Sequence, residues 1–151
     1  MHTNAGMKLG NGEHDIKICT WNCGGLNDEK LETFALYMIT NGINVAFLND
    51  VRATAVECEF FKKKIKGVFE VDCFVSASPV TDPGTPNGKV GGQIVIVPLP
   101  WKNSVANVKS DNAGLGEVFT LELKTAAGRL VVINTYWATK PQEGVEDSNA
   151  L

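Results

Sequence analysis

Histidine is almost absent from this sequence: there are two, His2 and His14, and both lie among the first fifteen residues. Histidine is the side chain best suited to exchanging protons near neutral pH, and it is also the commonest metal ligand. Because no histidine follows His14, residues 15–151 cannot supply a catalytic imidazole.

Cysteine is also scarce, with four residues at irregular spacing: Cys19, Cys23, Cys58 and Cys73. Cys19 and Cys23 could form half of a metal site, but no second pair of cysteine or histidine residues follows them. We therefore expect buried or half-buried free thiols in a reducing compartment.

Long apolar runs are missing, and none approaches the roughly 20 residues with which a helix crosses a bilayer. Residues 1–15 lack the apolar core of a secretory signal. We expect no membrane partner and an intracellular location, in the nucleus or the cytoplasm. We expect residues 1–15 to form a disordered polar leader and residues 16–151 to form one domain, since a chain of this length can bury a core.

The sequence also lacks an excess of positive charge, since its net charge is −3. A negative net charge does not suggest a general nucleic-acid-binding surface. One segment, residues 52–66, departs from this balance. It carries more basic than acidic residues: Arg52, Lys62, Lys63, Lys64 and Lys66 against Glu57 and Glu59. Such a run is either the solvated face of a helix or a phosphate-contacting surface, and the sequence leaves both open.

The most informative segment is residues 16–22, in which β-branched and other side chains alternate with the period of a strand. Asn22 stands at its end, and Gly24-Gly25 permits a sharp turn. Asn22 either faces a ligand or bonds its own turn. An amphipathic helix over 29–40 and a buried strand over 43–48 follow, which predicts a βαβ unit with Asn22 and Asp50 as neighbours.

A second helix is predicted over residues 55–66, because Thr54 and Glu57 form a capping box at its start. After this helix, the alternation of side chains is typical of strands. We expect strands near 69–75, 91–97 and 105–108, a loop over 79–89, and a hairpin formed by 117–124 and 129–137. This order predicts an α/β fold of two packed sheets flanked by helices. A doubly wound nucleotide fold is less favoured, because Gly24-Gly25 is not part of a Gly-x-Gly-x-x-Gly turn.

Asn22, Asp50 and Tyr136 are the residues that could do chemistry, since each lies at a predicted strand end. An amide and a carboxylate at neighbouring strand ends can hold Mg²⁺, and a tyrosine hydroxyl can donate to a phosphate oxygen. The alternatives are that Asp50 caps a turn and that Tyr136 is a core aromatic residue with a solvated hydroxyl.

Four ordered motifs resemble the endonuclease/exonuclease/phosphatase superfamily, and most closely the apurinic-endonuclease-like domain of non-LTR retrotransposons. They are IKICTWNCGGL at 16–26, AFLND at 46–50, GGQIVI at 91–96 and VVINTY at 131–136. The resemblance implies a four-layered α/β/β/α sandwich and a DNA-nicking endonuclease that hydrolyses phosphodiesters with Mg²⁺ or Mn²⁺. It also implies a partner, a reverse transcriptase domain in the same open reading frame.

Carried over by position, the resemblance implies that Asn22 and Asp50 form the metal site and that Asn22, Asp50 and Tyr136 are catalytic. The chain departs from the family at Asp50, where the family has glutamate. It also lacks matches to the family's later Asp-x-Asn and Ser-Asp-His segments, so we expect a fold incomplete at the C-terminus and no turnover by this chain. The alternatives are a non-catalytic relic or binding module that keeps the fold, and a phosphatase of the same superfamily.

Overall fold

The computed structural model describes residues 14–80, 90–110 and 118–137, with the backbone of 2–3 and 7–9, and it describes side chains from residue 15 onward. The strands are β1 (His2–Thr3), β2 (Met7–Leu9), β3 (His14–Ile16), β4 (Ile18–Asn22), β5 (Val45–Asn49), β6 (Cys73–Ser78), β7 (Gln93–Pro98), β8 (Val105–Ser110), β9 (Val118–Thr125) and β10 (Gly128–Thr135). The helices are α1 (Asp28–Asn41) and α2 (Ala55–Val68), with a 3-10 turn at Trp101–Ser104.

Two larger sheets form the centre of the fold. The first has five strands in the order β1-β4-β5-β7-β6, and the second has three in the order β10-β9-β8. Strands β4 and β5 are parallel, joined through α1, and all other pairs are antiparallel. The two-sheet α/β architecture predicted from the sequence, including its βαβ unit, is therefore confirmed.

The predicted leader contains three short strands in this structure. β1 pairs with β4, and β2 pairs with β3. The division at residue 16 into a disordered leader and a domain stays a prediction. Most of the predicted loop, and the chain after Trp137, lie outside the described residues.

Both helices begin at capping residues, and the cap of the second is the one predicted. The Asn27 side chain accepts a hydrogen bond from the Lys30 N–H, and α1 ends at Gly42, whose φ of 62° suits glycine. Helix α2 begins with the capping box of Thr54 and Glu57. None of the helices in the described residues is both long and apolar enough to span a bilayer.

The first sheet has a core on each face. On one face it packs against both helices through residues that include Leu31, Phe34, Leu48 and Ile65. On the other face it packs against the second sheet through Val45, Phe47, Val95, Val97, Phe119, Leu121 and Leu123. The outer face of the second sheet is open to solvent in the described chain, with Val131 53% and Ile133 63% exposed.

Candidate functional site

The candidate site lies where the parallel strands β4 and β5 end. Beyond the strands, the Gly25 N–H donates to the Asp50 carbonyl at 2.7 Å and the Leu26 N–H donates to the Val51 carbonyl at 3.0 Å. The glycine turn after β4 is thus held against the segment after β5. This places Asn22 and Asp50 at one edge of the sheet, as the βαβ pattern predicted.

Asn22 bonds its own turn, because its Oδ1 accepts from the Gly24 N–H at 3.1 Å. Gly24 and Gly25 have φ of 57° and 91°, which glycine adopts without strain. The turn is braced by Lys30, whose Nζ donates to the carbonyls of Cys23 and Gly25. Asn22 therefore has the local role predicted as one alternative, and it also contacts Tyr136.

Tyr136 follows β10, and its hydroxyl lies close enough to Asp50 and Asn22 for both side chains to influence its pKa. Burial is the main cause that raises the pKa of Tyr136, and the Asp50 charge and hydrogen bond raise it further. Arg52 and the Asn22 hydrogen bond act in the opposite direction. The structure thus brings together all three residues selected from the sequence, while their catalytic roles stay predictions.

Asp50 is buried, with 2% of its surface exposed, and it carries the densest set of contacts in the site. Its Oδ1 accepts from the Gly91 N–H at 2.8 Å and from Arg52 Nε at 3.1 Å. Its Oδ2 accepts from Arg52 Nη2 at 2.9 Å. The hydrogen bond with Asp50 raises the pKa of Arg52, so that the guanidinium stays charged.

The segment from Asp50 to Arg52 has an unusual backbone, because these two residues have φ of 54° and 53°. Non-glycine residues seldom adopt this region. Backbone hydrogen bonds hold the segment there: Val51 N–H donates to the Gly92 carbonyl and Arg52 N–H donates to the Gly91 carbonyl. The strained geometry directs the Arg52 side chain back onto the Asp50 carboxylate.

The residues in place do not fit a divalent metal ion bound directly to Asp50. A carboxylate has about four lone-pair positions. The donors that occupy them are the Gly91 N–H and Arg52 Nε on Oδ1, and Arg52 Nε and Nη2 on Oδ2. In the part of the chain that the structure describes, no three residues among His, Cys, Asp and Glu are grouped as metal ligands.

The sequence analysis missed a buried polar network behind the site. Asn134 donates to Asn49 Oδ1 and, at 2.7 Å, to Gln93 Oε1. Its own Oδ1 accepts from the Thr20 hydroxyl at 3.2 Å, and Thr20 in turn accepts from Asn49 at 2.7 Å. The network joins the two sheets and fixes the strand that leads to Tyr136. Two of its members could have been selected from the sequence, because Asn134 lies in the motif at 131–136 and Gln93 lies in the motif at 91–96.

The basic segment over 52–66 contributes only Arg52 to this site. Lys62 pairs with Glu59, and Lys64 pairs with Asp28 and Glu32 on the surface shared by the two helices. These contacts support the solvated-face interpretation. The open groove between the two helices is lined by Arg52 together with three carboxylates, on Asp28, Glu29 and Glu57. These carboxylates oppose a DNA backbone on that side of Arg52.

The four cysteines are buried, and none of them forms a disulfide. Burial raises the pKa of Cys23 to about 12 and that of Cys58 and Cys73 to about 11. These three thiols are therefore protonated at neutral pH, which agrees with the expectation of structural thiols.

Comparison with solved structures identifies the fold, whereas no family model and no curated protein matches the sequence. The chain has the two-sheet fold of the endonuclease/exonuclease/phosphatase type. The neighbours include AP endonuclease LMAP from Leishmania major, with a TM-score of 0.66, 18% identity and coverage of 89% of this chain and 43% of that one.

Two further neighbours have the same fold. An endonuclease/exonuclease/phosphatase family protein from Leptotrichia buccalis has a TM-score of 0.59 at 12% identity, with coverage of 86% of this chain and 57% of that one. TDP2 from Caenorhabditis elegans has a TM-score of 0.53 at 13% identity, with coverage of 89% and 40%. The chain therefore spans about half the length of these neighbours, or less.

Proposed function

We propose that residues 16–137 form the phosphate-binding half of a phosphodiester hydrolase that acts on the backbone of DNA, a nuclease of the endonuclease/exonuclease/phosphatase type. The observation that supports this most strongly is the meeting of Asn22, Asp50 and Tyr136 at one sheet edge. These residues lie in three motifs distant in sequence. The shared fold with an AP endonuclease supports the choice of DNA as substrate.

Each side chain has a distinct part in this proposal. The Tyr136 hydroxyl and the Arg52 guanidinium bind phosphate oxygens, since both are donors at neutral pH. Because the pKa of Tyr136 is raised above the ordinary tyrosine value of about 10, its hydroxyl is protonated at every physiological pH and can act as a donor. Asp50 positions both donors, and Asn22 orients Tyr136. In this arrangement Asn22 and Asp50 are positioning residues.

The predicted Mg²⁺ or Mn²⁺ stays a prediction for a longer domain, because the contacts of Asp50 leave no room for it here. The retrotransposon context and a reverse transcriptase partner rest on the motif resemblance, and so does the phosphatase alternative. An intracellular location and the absence of a membrane partner also stay proposals.

A binding module without turnover is the second candidate function. The observation that favours it is the Arg52 pair, which occupies lone pairs of the Asp50 carboxylate that a metal ion would need. Both candidates bind phosphate through the same contacts, but only the first cleaves the phosphodiester bond.

DNA binding tests the proposed phosphate site. Arg52→Gln is expected to weaken the binding of a short fluorescent DNA duplex by about tenfold to a hundredfold, because a hydrogen bond to a charged group contributes about 1.5–3 kcal/mol. Fluorescence anisotropy at several salt concentrations measures this. Arg129→Gln is the matched control, since Arg129 pairs with Glu122 away from the site. Equal affinities for the two variants would remove the support for Arg52 as a phosphate ligand.

Cleavage separates the two candidate functions. The purified 151-residue chain is expected to leave supercoiled plasmid intact in Mg²⁺ or Mn²⁺, because groups that act as a unit lose most of their rate enhancement when some are missing. Agarose gel electrophoresis of plasmid forms measures nicking. Metal-dependent nicking that disappears in Asp50→Ala would show that the chain turns over by itself.

A further inference from the structure

Arg52 lies where a cation would neutralise the Asp50 carboxylate. Its Nε is 3.1 Å from Oδ1 and 3.2 Å from Oδ2, and its Nη2 is 2.9 Å from Oδ2. We infer that the Arg52 guanidinium is the resident cation of this site and that it excludes divalent ions from Asp50. This inference deepens the proposed function, because it names the cation that accompanies phosphate binding at the same site.

The exclusion follows from the number of donors around the carboxylate. Arg52 supplies two nitrogens, of which Nε contacts both carboxylate oxygens, and Gly91 supplies a backbone N–H at 2.8 Å. Mg²⁺ and Mn²⁺ bind carboxylate oxygens directly, and Mg²⁺ requires near-ideal octahedral geometry. An ion can reach Asp50 only after at least one of these donors has left.

The backbone makes departure of Arg52 unfavourable. The Arg52 N–H donates to the Gly91 carbonyl at 2.9 Å, while the Gly91 N–H donates to Asp50 Oδ1. These reciprocal bonds hold Asp50 and Arg52 in left-handed conformations that place both side chains on one side of the segment. The backbone of Arg52 is therefore already positioned so that its guanidinium can contact the Asp50 carboxylate.

The exposed N–H donors of Arg52, and not a net charge of the pair, determine which ligand the site can take. Asp50 and Arg52 together are neutral, whereas a divalent ion on Asp50 would leave one positive charge. The Arg52 side chain is 45% exposed, so part of its surface can contact a ligand while the carboxylate face stays paired. The chemical class that fits is a phosphodiester anion, bound by hydrogen-bond donors and without a metal bridge.

Manganese binding tests the inference independently of DNA. Free Mn²⁺ is followed by electron paramagnetic resonance during titration of the 151-residue chain. Arg52→Gln is expected to bind Mn²⁺ at least about tenfold more tightly than the unmodified chain, because it frees a buried carboxylate. Adding Asp50→Asn to that variant is expected to abolish the gain, and Arg129→Gln is expected to show none.

Two outcomes would overturn the inference: Mn²⁺ binding by the unmodified chain as tight as that of Arg52→Gln, or an equal gain in Arg129→Gln. Circular dichroism checks that each variant is folded. If Arg52→Gln does not fold, Arg52→Lys keeps the charge and loses the two-nitrogen fork, and a smaller gain is expected. No gain in the folded lysine variant would then overturn the inference. Because this readout is metal binding, a failure here leaves the DNA-binding result unaffected.

Discussion

Asn134→Leu is expected to lower the free energy of unfolding by about 3–5 kcal/mol, because buried acceptors that lose their donor cost about 1–3 kcal/mol each. The Asn134 amide serves the buried side-chain oxygens of Asn49 and Gln93, and leucine cannot replace it. Urea denaturation followed by circular dichroism measures the change. The same variant is expected to weaken DNA binding, since Tyr136 lies two residues further along the chain.

The matched control for this prediction is Asn107→Leu. Asn107 lies on the exposed strand β8, and its side chain accepts only a local hydrogen bond among those described, from the Val108 N–H. A change within about 0.5 kcal/mol is expected for such a surface site. If Asn134→Leu cost no more than Asn107→Leu, the polar network would not join the two sheets.

Phe47→Ala is expected to lower the free energy of unfolding by about 3–5 kcal/mol, the usual cost of removing a buried aromatic side chain. Phe47 is 1% exposed and lies on the face of β5 that meets the second sheet. Its ring packs edge-on against Phe119, with the ring centroids 6.4 Å apart. The variant therefore tests the packing between the sheets, and chemical denaturation again provides the measurement.

Phe60→Ala is the matched control for Phe47→Ala. Phe60 lies on α2 with 60% of its surface exposed, and alanine is the better helix former. The control is expected to change stability by less than about 1 kcal/mol. Similar losses for the two variants would contradict a core between the sheets and favour an independent second sheet.

The first half of the fold could be predicted from the sequence because its signals are local. The alternation over 16–22, the capping residue Asn27 and the capping box at Thr54 each act within a few residues of their position. The prediction failed near Phe69, where alternation suggested a strand over 69–75. Phe69 instead caps α2, and the strand runs over Cys73–Ser78.

The proximity of three candidate residues was predicted from the sequence, whereas their connections to other residues were not, and their functional roles stay predictions. Asn22, Asp50 and Tyr136 were found because strand ends and motifs mark them. The pairing of Arg52 with Asp50 depends on left-handed φ angles at two non-glycine residues, which no sequence pattern indicates. The Asn134 network depends on packing between two sheets, and local periodicity carries no information on such contacts.

The open outer face of the second sheet agrees with the partial coverage of the structural neighbours. Val131 and Ile133 are more than half exposed, and the chain aligns with 43% of the Leishmania major endonuclease. Apolar side chains on a sheet face are ordinarily covered by a further layer. Within the described residues, this face of the second sheet has no such layer.

The most direct test of the phosphate half-site is a ¹H–¹⁵N spectrum of the 151-residue chain during titration with dimethyl phosphate, the smallest DNA-like phosphodiester. The account predicts shifts at the amides of Gly24, Gly25 and Gly91 and at the Arg52 side chain, and loss of these shifts in Arg52→Gln. Shifts confined to the lysine-bearing surface of α2, or no saturable shift at the strand ends, would contradict it.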